Sequence, residues 1–466
     1  MARRFATSLL TVLLLAALFG APARASHTQT LTFEASRDLL DPAQRESAFN
    51  QIADLGAHRL RIVLYWQNVA PSPTARTKPG FDATDPSAYD WGQYDAAIAG
   101  ARARGWPVLL TVSGPVPVWA TLGRRDSRTR PSPAEFQSFM TAVAKHYGNK
   151  ISQWAIWNEP NDPHYLLPQY FKGQVASGAW YRKLFVAGVA GLKAGGVAKA
   201  PVLFGETAPI GSSTTVAPLA FMRDALCLSK TYRRNPSCGK LAISGYAHHA
   251  YTRATSSSGP FFKPEGKDDV TIGVLSRLVT ALDRAGTAGA IPKRTPIYLT
   301  EFGIQSVPDP IVGVSQQKQA EYQAISERLA WDQPRVEQFS QYLLRDDLPR
   351  SGPKADRYGG FQSGLRFSGG KAKLSYSSFP VPLAALRTGT KVSLWGLARP
   401  AGKRTTVTVL AGHGSTFATY GKYATDGHGY FTKTVPYVKG REYRLRWVSP
   451  DGKVYEGPPI RVYARP

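Results

Sequence analysis

The feature that most restricts the fold is an alternation that begins at Thr30, in which short β-rich runs are separated by longer amphipathic stretches. Eight such runs occupy residues 30–34, 59–65, 107–112, 151–158, 201–206, 241–248, 296–301 and 336–344. Helical patterns fall between them at 43–55, 94–104, 133–147, 273–284 and 315–331. Strand and helix taking turns is the signature of βαβ units, whose parallel strands need helices as crossovers. Eight units in succession predict an α/β fold of the closed (β/α)8 TIM barrel type. A doubly wound sheet is the competing architecture, but it would place a glycine-rich phosphate turn after the first strand. Here that strand runs into Phe33-Glu34-Ala35-Ser36-Arg37. After about Pro382 the period changes to short alternating runs at 391–397, 405–410, 441–448 and 460–463, broken by Gly, Pro and Asp. That pattern predicts a small C-terminal β-sandwich. The expected division is therefore an export segment at 1–25, a barrel at 26–382 and a sandwich at 383–466.

The export segment is read from Arg3 and Arg4, an apolar run over 9–19, and the small-x-small site Ala23-Arg24-Ala25. An uncleaved anchor is the competing reading, but an apolar run of about 11 residues falls short of the roughly 20 that span a bilayer. The expectation is a secreted protein with no membrane span. Two cysteines only, Cys227 and Cys238, in an exported chain predict one disulfide. A metal site is disfavoured because His248 and His249 follow without zinc-like spacing. The net charge of +26 admits acidic polysaccharide, cell wall or nucleic acid as partners and says nothing of fold. Nucleic acid is set aside because the charge is scattered and no recognition motif accompanies it. Residues 383–466 hold 14 Lys or Arg against 4 Asp or Glu, which makes an anionic polymer or the cell wall a possible partner of that segment.

Catalytic groups of a barrel gather at the C-terminal ends of its strands, and two glutamates stand there. The fourth run ends Trp157-Asn158-Glu159-Pro160-Asn161 and the seventh ends Leu299-Thr300-Glu301-Phe302-Gly303. Two acids that follow buried apolar strands and face one cleft can divide into a proton donor and an ionised partner. That pair is what glycoside hydrolysis requires.

These two strand ends resemble the catalytic strand ends of clan A retaining glycoside hydrolases, and the segments 360–366 and 371–376 resemble the barrel-closing region of exported members of families 5 and 39. The resemblance covers residues 30 to about 380 and implies Glu159 as general acid/base, Glu301 as nucleophile and Asn158 as partner of the sugar 2-hydroxyl. It further implies that Arg61 holds the nucleophile ionised and that His248, His249 and Tyr251 position substrate or nucleophile. Physically, a guanidinium lowers a neighbouring carboxyl's pKa and a phenol donates a hydrogen bond to it. Trp66, Trp119 and Trp157 are candidate sugar-stacking platforms, with core packing as the other reading for each. The clan's tryptophan at the end of strand eight has no counterpart in the run 339–347. The expected function is a secreted retaining glycosidase that cleaves β-linked O-glycosidic bonds in poly- or oligosaccharides, needing no metal or organic cofactor. The alternative of a different class is a non-catalytic carbohydrate- or cell-wall-binding protein on the same barrel, which the intact glutamate pair disfavours.

Overall fold

A computed structural model of the chain describes Ser26 and residues 29–466, so the export segment expected at 1–25 lies outside the described residues. Strands β1 (Thr30–Glu34), β2 (Leu60–Tyr65), β3 (Val108–Ser113), β4 (Gln153–Ile156), β5 (Val202–Thr207), β6 (Gly245–His249), β7 (Ile297–Glu301) and β8 (Val336–Tyr342) form a closed barrel. Neighbours in sequence are neighbours in space, every pair is parallel, and β1 pairs with both β2 and β8 to close the ring. The strands are buried on both faces, which is why they read as nearly continuous apolar runs rather than alternating ones.

Helices α1 (Arg45–Asp54), α2 (Gly92–Ala103), α3 (Pro133–Tyr147), α4 (Ser177–Ala194), α5 (Pro218–Ala225), α6 (Leu275–Thr287) and α7 (Gln316–Trp331) wrap the ring. α3 shows how local sequence sets the boundaries: the Ser132 side chain accepts from Glu135 N, Pro133 opens the first turn, and Gly148 ends the helix at φ +22°. α4 and α5 were not foreseen. α4 carries Gly178, Gly188 and Gly191, which read as breakers along the sequence. In the fold they permit close packing, because a Cβ on Gly191 would lie 2.5 Å from the Gln137 carbonyl oxygen of α3.

The last 84 residues form two four-stranded sheets. Strands β9 (Leu383–Thr388), β10 (Lys391–Leu397), β13 (Tyr430–Pro436) and β16 (Tyr463–Ala464) make one, in the order β13-β10-β9-β16. Strands β11 (Thr406–His413), β12 (Thr416–Ala424), β14 (Glu442–Val448) and β15 (Val454–Glu456) make the other, in the order β12-β11-β14-β15. Val392, Leu394, Val407, Val409, Tyr443 and Leu445 fill the space between them, so the expected sandwich forms, with more strands than the sequence pattern disclosed.

The first of these sheets lies against α7, whose residues are buried around nearly its whole circumference, acids included. Glu327 pairs with Arg399 through two hydrogen bonds of 3.0 and 2.8 Å. Glu321 receives Arg461 Nε at 3.0 Å and Nη2 at 2.6 Å, and the Tyr463 hydroxyl as well. Trp331 meets Trp395 and Tyr430 at ring-centroid distances of 6.1 and 5.9 Å. A buried carboxylate stripped of its partner costs about 3–5 kcal/mol, so these pairs bind barrel and sandwich into one packed body. Tyr420, Tyr423 and Tyr430 read along the sequence as exposed aromatics of the C-terminal segment. Instead Tyr430 is buried against the barrel, Tyr423 stacks on Phe431 at 5.9 Å, and Tyr420 meets Tyr443 edge-on.

Candidate active site

At the C-terminal end of the barrel a cleft of about 600 Å³ is lined by Glu34, Tyr65, Glu159, Glu301, Tyr342 and Phe361, among others. Glu159 reaches it by way of an unusual backbone. Trp157 and Glu159 have positive φ, +74° and +40°, which non-glycine residues adopt only when the surroundings impose it. Three hydrogen bonds impose it here: Trp157 N to the Val112 carbonyl at 2.9 Å, Asn158 N to Ser113 Oγ at 3.0 Å, and Glu159 N to the Glu206 carbonyl at 3.0 Å. Asn161 fixes the far side of the turn, donating to the carbonyls of Ala208 and Val216 and accepting from Ala208 N.

Arg61, with no exposed surface, is the hub of the site. Its Nη1 contacts Glu301 Oε1 at 2.7 Å and also Glu34 Oε2, while its Nη2 contacts Glu206 Oε2 and Asn158 Oδ1, each at 2.6 Å. Its Nε lies 3.1 Å from Glu206 Oε1 and 3.2 Å from Thr111 Oγ1. Tyr251 donates to Glu301 Oε2 at 3.0 Å. His249 Nδ1 is hydrogen-bonded to Glu159 Oε1 at 2.8 Å and lies 3.5 Å from Glu301 Oε2. Burial lowers the His249 pKa and keeps the ring neutral. Burial, reinforced by the charge of Asp162, raises the Glu159 carboxyl to about 8, so it holds a proton at neutral pH. The two glutamates therefore stand in opposite surroundings: Glu301 is gripped by a cation and a phenol, and Glu159 is held without one.

Of the residues singled out along the sequence, Arg61, Asn158, Glu159, His249, Tyr251 and Glu301 converge. His248 does not join them. It points to the other side of β6, with Nδ1 at 2.9 Å from Thr207 Oγ1 and Nε2 at 2.9 Å from the Val270 carbonyl oxygen. The three tryptophans are core groups: Trp66 stacks on Phe139 at 4.7 Å, Trp119 meets Trp66 edge-on, and Trp157 meets Phe136 at 5.4 Å. The aromatic lining of the cleft includes Tyr65, Tyr165, Tyr342 at the end of β8, where the clan's tryptophan has no counterpart, and Phe361, whose ring lies 4.9 Å from that of Tyr342. Sequence reasoning also missed Glu34 and Glu206. Glu34 ends β1 and Glu206 stands one residue before the end of β5, close to the signal that pointed to Glu159 and Glu301. Cys227 and Cys238 form a disulfide. Among the described residues, Glu159, His249 and Glu301 are the grouping whose donor atoms converge, within 4.8 Å of one another, and His249 Nδ1 is already hydrogen-bonded to Glu159.

Residues 22–175 match the model of the cellulase family, glycosyl hydrolase family 5. No curated protein matches the chain in sequence. The fold is shared with solved glycosidases at low identity. A glucosidase from Croceicoccus marinus is 11% identical with a TM-score of 0.52, covering 91% of this chain and 96% of that one. A family 39 glycoside hydrolase from the gut symbiont Bacteroides cellulosilyticus is 16% identical at TM-score 0.52, covering 89% and 80%. A monomeric β-xylosidase from Caulobacter crescentus is 14% identical at TM-score 0.52, covering 94% and 97%. The chain thus carries a clan A glycoside hydrolase domain and is a glycosidase. Among the described residues, no helix is long and apolar enough to cross a membrane.

Proposed function

We propose that this glycosidase is an exported retaining enzyme that acts on β-linked sugars by double displacement, with Glu159 as acid/base and Glu301 as nucleophile. The observation that carries the reading is the separation of the two carboxylates, whose nearest donor atoms lie within 4.8 Å of each other. Retaining enzymes space their carboxyls at about 5–5.5 Å, whereas inverting ones leave about 6.5–9.5 Å for a water. Glu301 Oε attacks the anomeric carbon while Glu159, protonated, donates to the departing oxygen. Arg61 and Tyr251 aim the nucleophile. Water then enters, Glu159 takes its proton, and the ester to Glu301 is cleaved. Asn158, with its carbonyl oxygen fixed on Arg61, leaves its amide to donate to the sugar 2-hydroxyl. The test is product stereochemistry on a panel of β-glucans, xylans, mannans and galactans: the first-formed sugar should keep its anomeric configuration by NMR. Inverted product would reject the assignment. Export is supported by the Arg3-Arg4 and Ala23-Arg24-Ala25 pattern and by the disulfide.

The C-terminal sandwich supports an additional reading as a holder of anionic polymer or cell wall. Lys422 and Arg446 flank Thr408 in register, placing exposed cations on either side of one strand in the second sheet of the sandwich. Lys422→Gln with Arg446→Gln should lower retention on acidic polysaccharide at low salt and leave hydrolysis of small substrates unchanged. Unaltered retention would reject the tether.

A further inference from the structure

Three carboxylates share one guanidinium. Glu206 takes two nitrogens of Arg61 and Glu301 takes Nη1, as does Glu34. All four side chains are nearly closed to solvent, at 0, 1, 8 and 6% exposure for Arg61, Glu206, Glu301 and Glu34. Were all three acids ionised, two negative charges would remain uncompensated around one buried cation, which the low local dielectric disfavours. The hydrogen bonds indicate where a proton fits. Both oxygens of Glu206 accept, Oε1 from Arg61 and Thr111 and Oε2 from Arg61. Both oxygens of Glu301 accept, from Arg61 and Tyr251. In Glu34 only Oε2 is so engaged; Oε1 has Ser36 Oγ at 3.5 Å, the limit of a hydrogen bond.

We propose that Glu34 carries the proton that lets three carboxylates share Arg61, and releases it to cleft water when Glu301 is esterified, so that Arg61 keeps two anionic partners throughout the reaction. The inference rests on the glycosidase reading above. In the first step the Glu301 oxygen bonds to the anomeric carbon, and the glycosidic bond breaks with its electron pair on the departing oxygen, which takes the Glu159 proton. Glu301 is then an uncharged ester. Arg61 has lost one anion, and Glu34 supplies another by passing its Oε1 proton to water. In the second step water attacks the anomeric carbon, Glu159 takes its proton, the bond pair returns to Glu301 as a carboxylate, and Glu34 regains a proton from solvent.

The groups facing Glu34 are consistent with this. They are Arg61 on β2, Glu206 on β5, Glu301 on β7, and the phenols Tyr65, Tyr251 and Tyr342, which burial holds neutral. Burial raises the Glu34 carboxyl to about 8; the Glu301 and Glu206 charges add to the rise and Arg61 opposes it. Removing the Glu301 charge removes one of the repulsions that keep the proton on. Glu34 is thus a positioning residue acting through Arg61.

The experiment has two arms. In the resting full-length enzyme at pH 6, infrared difference spectra between wild type and Glu34→Gln should show the loss of one protonated-carboxyl band. Equal bands in wild type and Glu34→Gln overturn the proposal with no substrate involved. In the second arm, wild type and Glu34→Gln are trapped with 2-deoxy-2-fluoro-β-D-glucosyl and β-D-xylosyl fluorides in weak buffer with an indicator dye, and labelling is counted by intact mass. Wild type should release up to one proton more per label than Glu34→Gln. Equal release at equal labelling overturns the charge-compensation step. Labelling of neither protein overturns the reading of a retaining enzyme for β-glucosides or β-xylosides instead, and the infrared arm then decides the proton on Glu34 alone.

Discussion

Glu301→Gln is expected to lower turnover by roughly 10⁴-fold or more, because an amide of the same shape cannot form the glycosyl ester. In free energy that is about 5.5 kcal/mol of lost transition-state stabilisation. The fold should survive, and for a particular reason. Removing one partner usually strands a buried charge at a cost of about 3–5 kcal/mol, but Arg61 retains Glu206 and Glu34, and the change leaves fewer acids crowded against one cation. Thermal unfolding should therefore show a midpoint equal to or above that of the parent, while steady-state assays show the loss. A variant that lost activity together with its fold, or one that kept a tenth of its turnover, would contradict the role given to Glu301.

Glu159→Ala should separate substrates by their leaving groups. General acid catalysis contributes about 10²–10⁴-fold, and natural glycosides should lose that much. Dinitrophenyl glycosides need no proton on departure, so their first step should persist, and azide should restore the second. Equal loss on both classes, without azide rescue, would rule out the assignment. Because burial raises the Glu159 carboxyl to about 8, the acid form is present below that pH, and kcat/KM on natural substrates should fall as pH rises through about 8. The same shift has a consequence for stability. A carboxyl raised from 4.5 in the unfolded chain favours the folded state below 4.5, and that contribution is lost as pH rises through about 8.

The barrel was legible because eight buried strands and their crossovers imprint two distinct periods on the sequence. Glu159 and Glu301 were legible because each acid closes an apolar run. Glu34 and Glu206 close such runs too, yet whether a strand's last residue turns inward depends on local register. At β5 the pairing shifts between Gly205 and Thr207, and Glu206 takes φ +49°. A similar shift between His248 and His249 sends the first ring into the wall and the second into the cleft. No period reveals such a bulge. Trp66 and Trp157 stayed undecided along the sequence for a related reason: a tryptophan at a strand end faces either the cleft or the surrounding helices, and composition is the same in both cases.

The engagement of α7 constrains how this architecture can be rearranged. An outer helix of a barrel ordinarily presents a polar face to water, and a barrel of that kind can be excised or joined to other modules with little consequence. Here the outward acids Glu321 and Glu327 are already committed to Arg461 and Arg399 of the sandwich. The catalytic half is thus chemically unfinished without the sandwich, and its portability is limited: transplanting the barrel alone would strip Glu321, Glu327 and Trp331 of the partners the sandwich supplies.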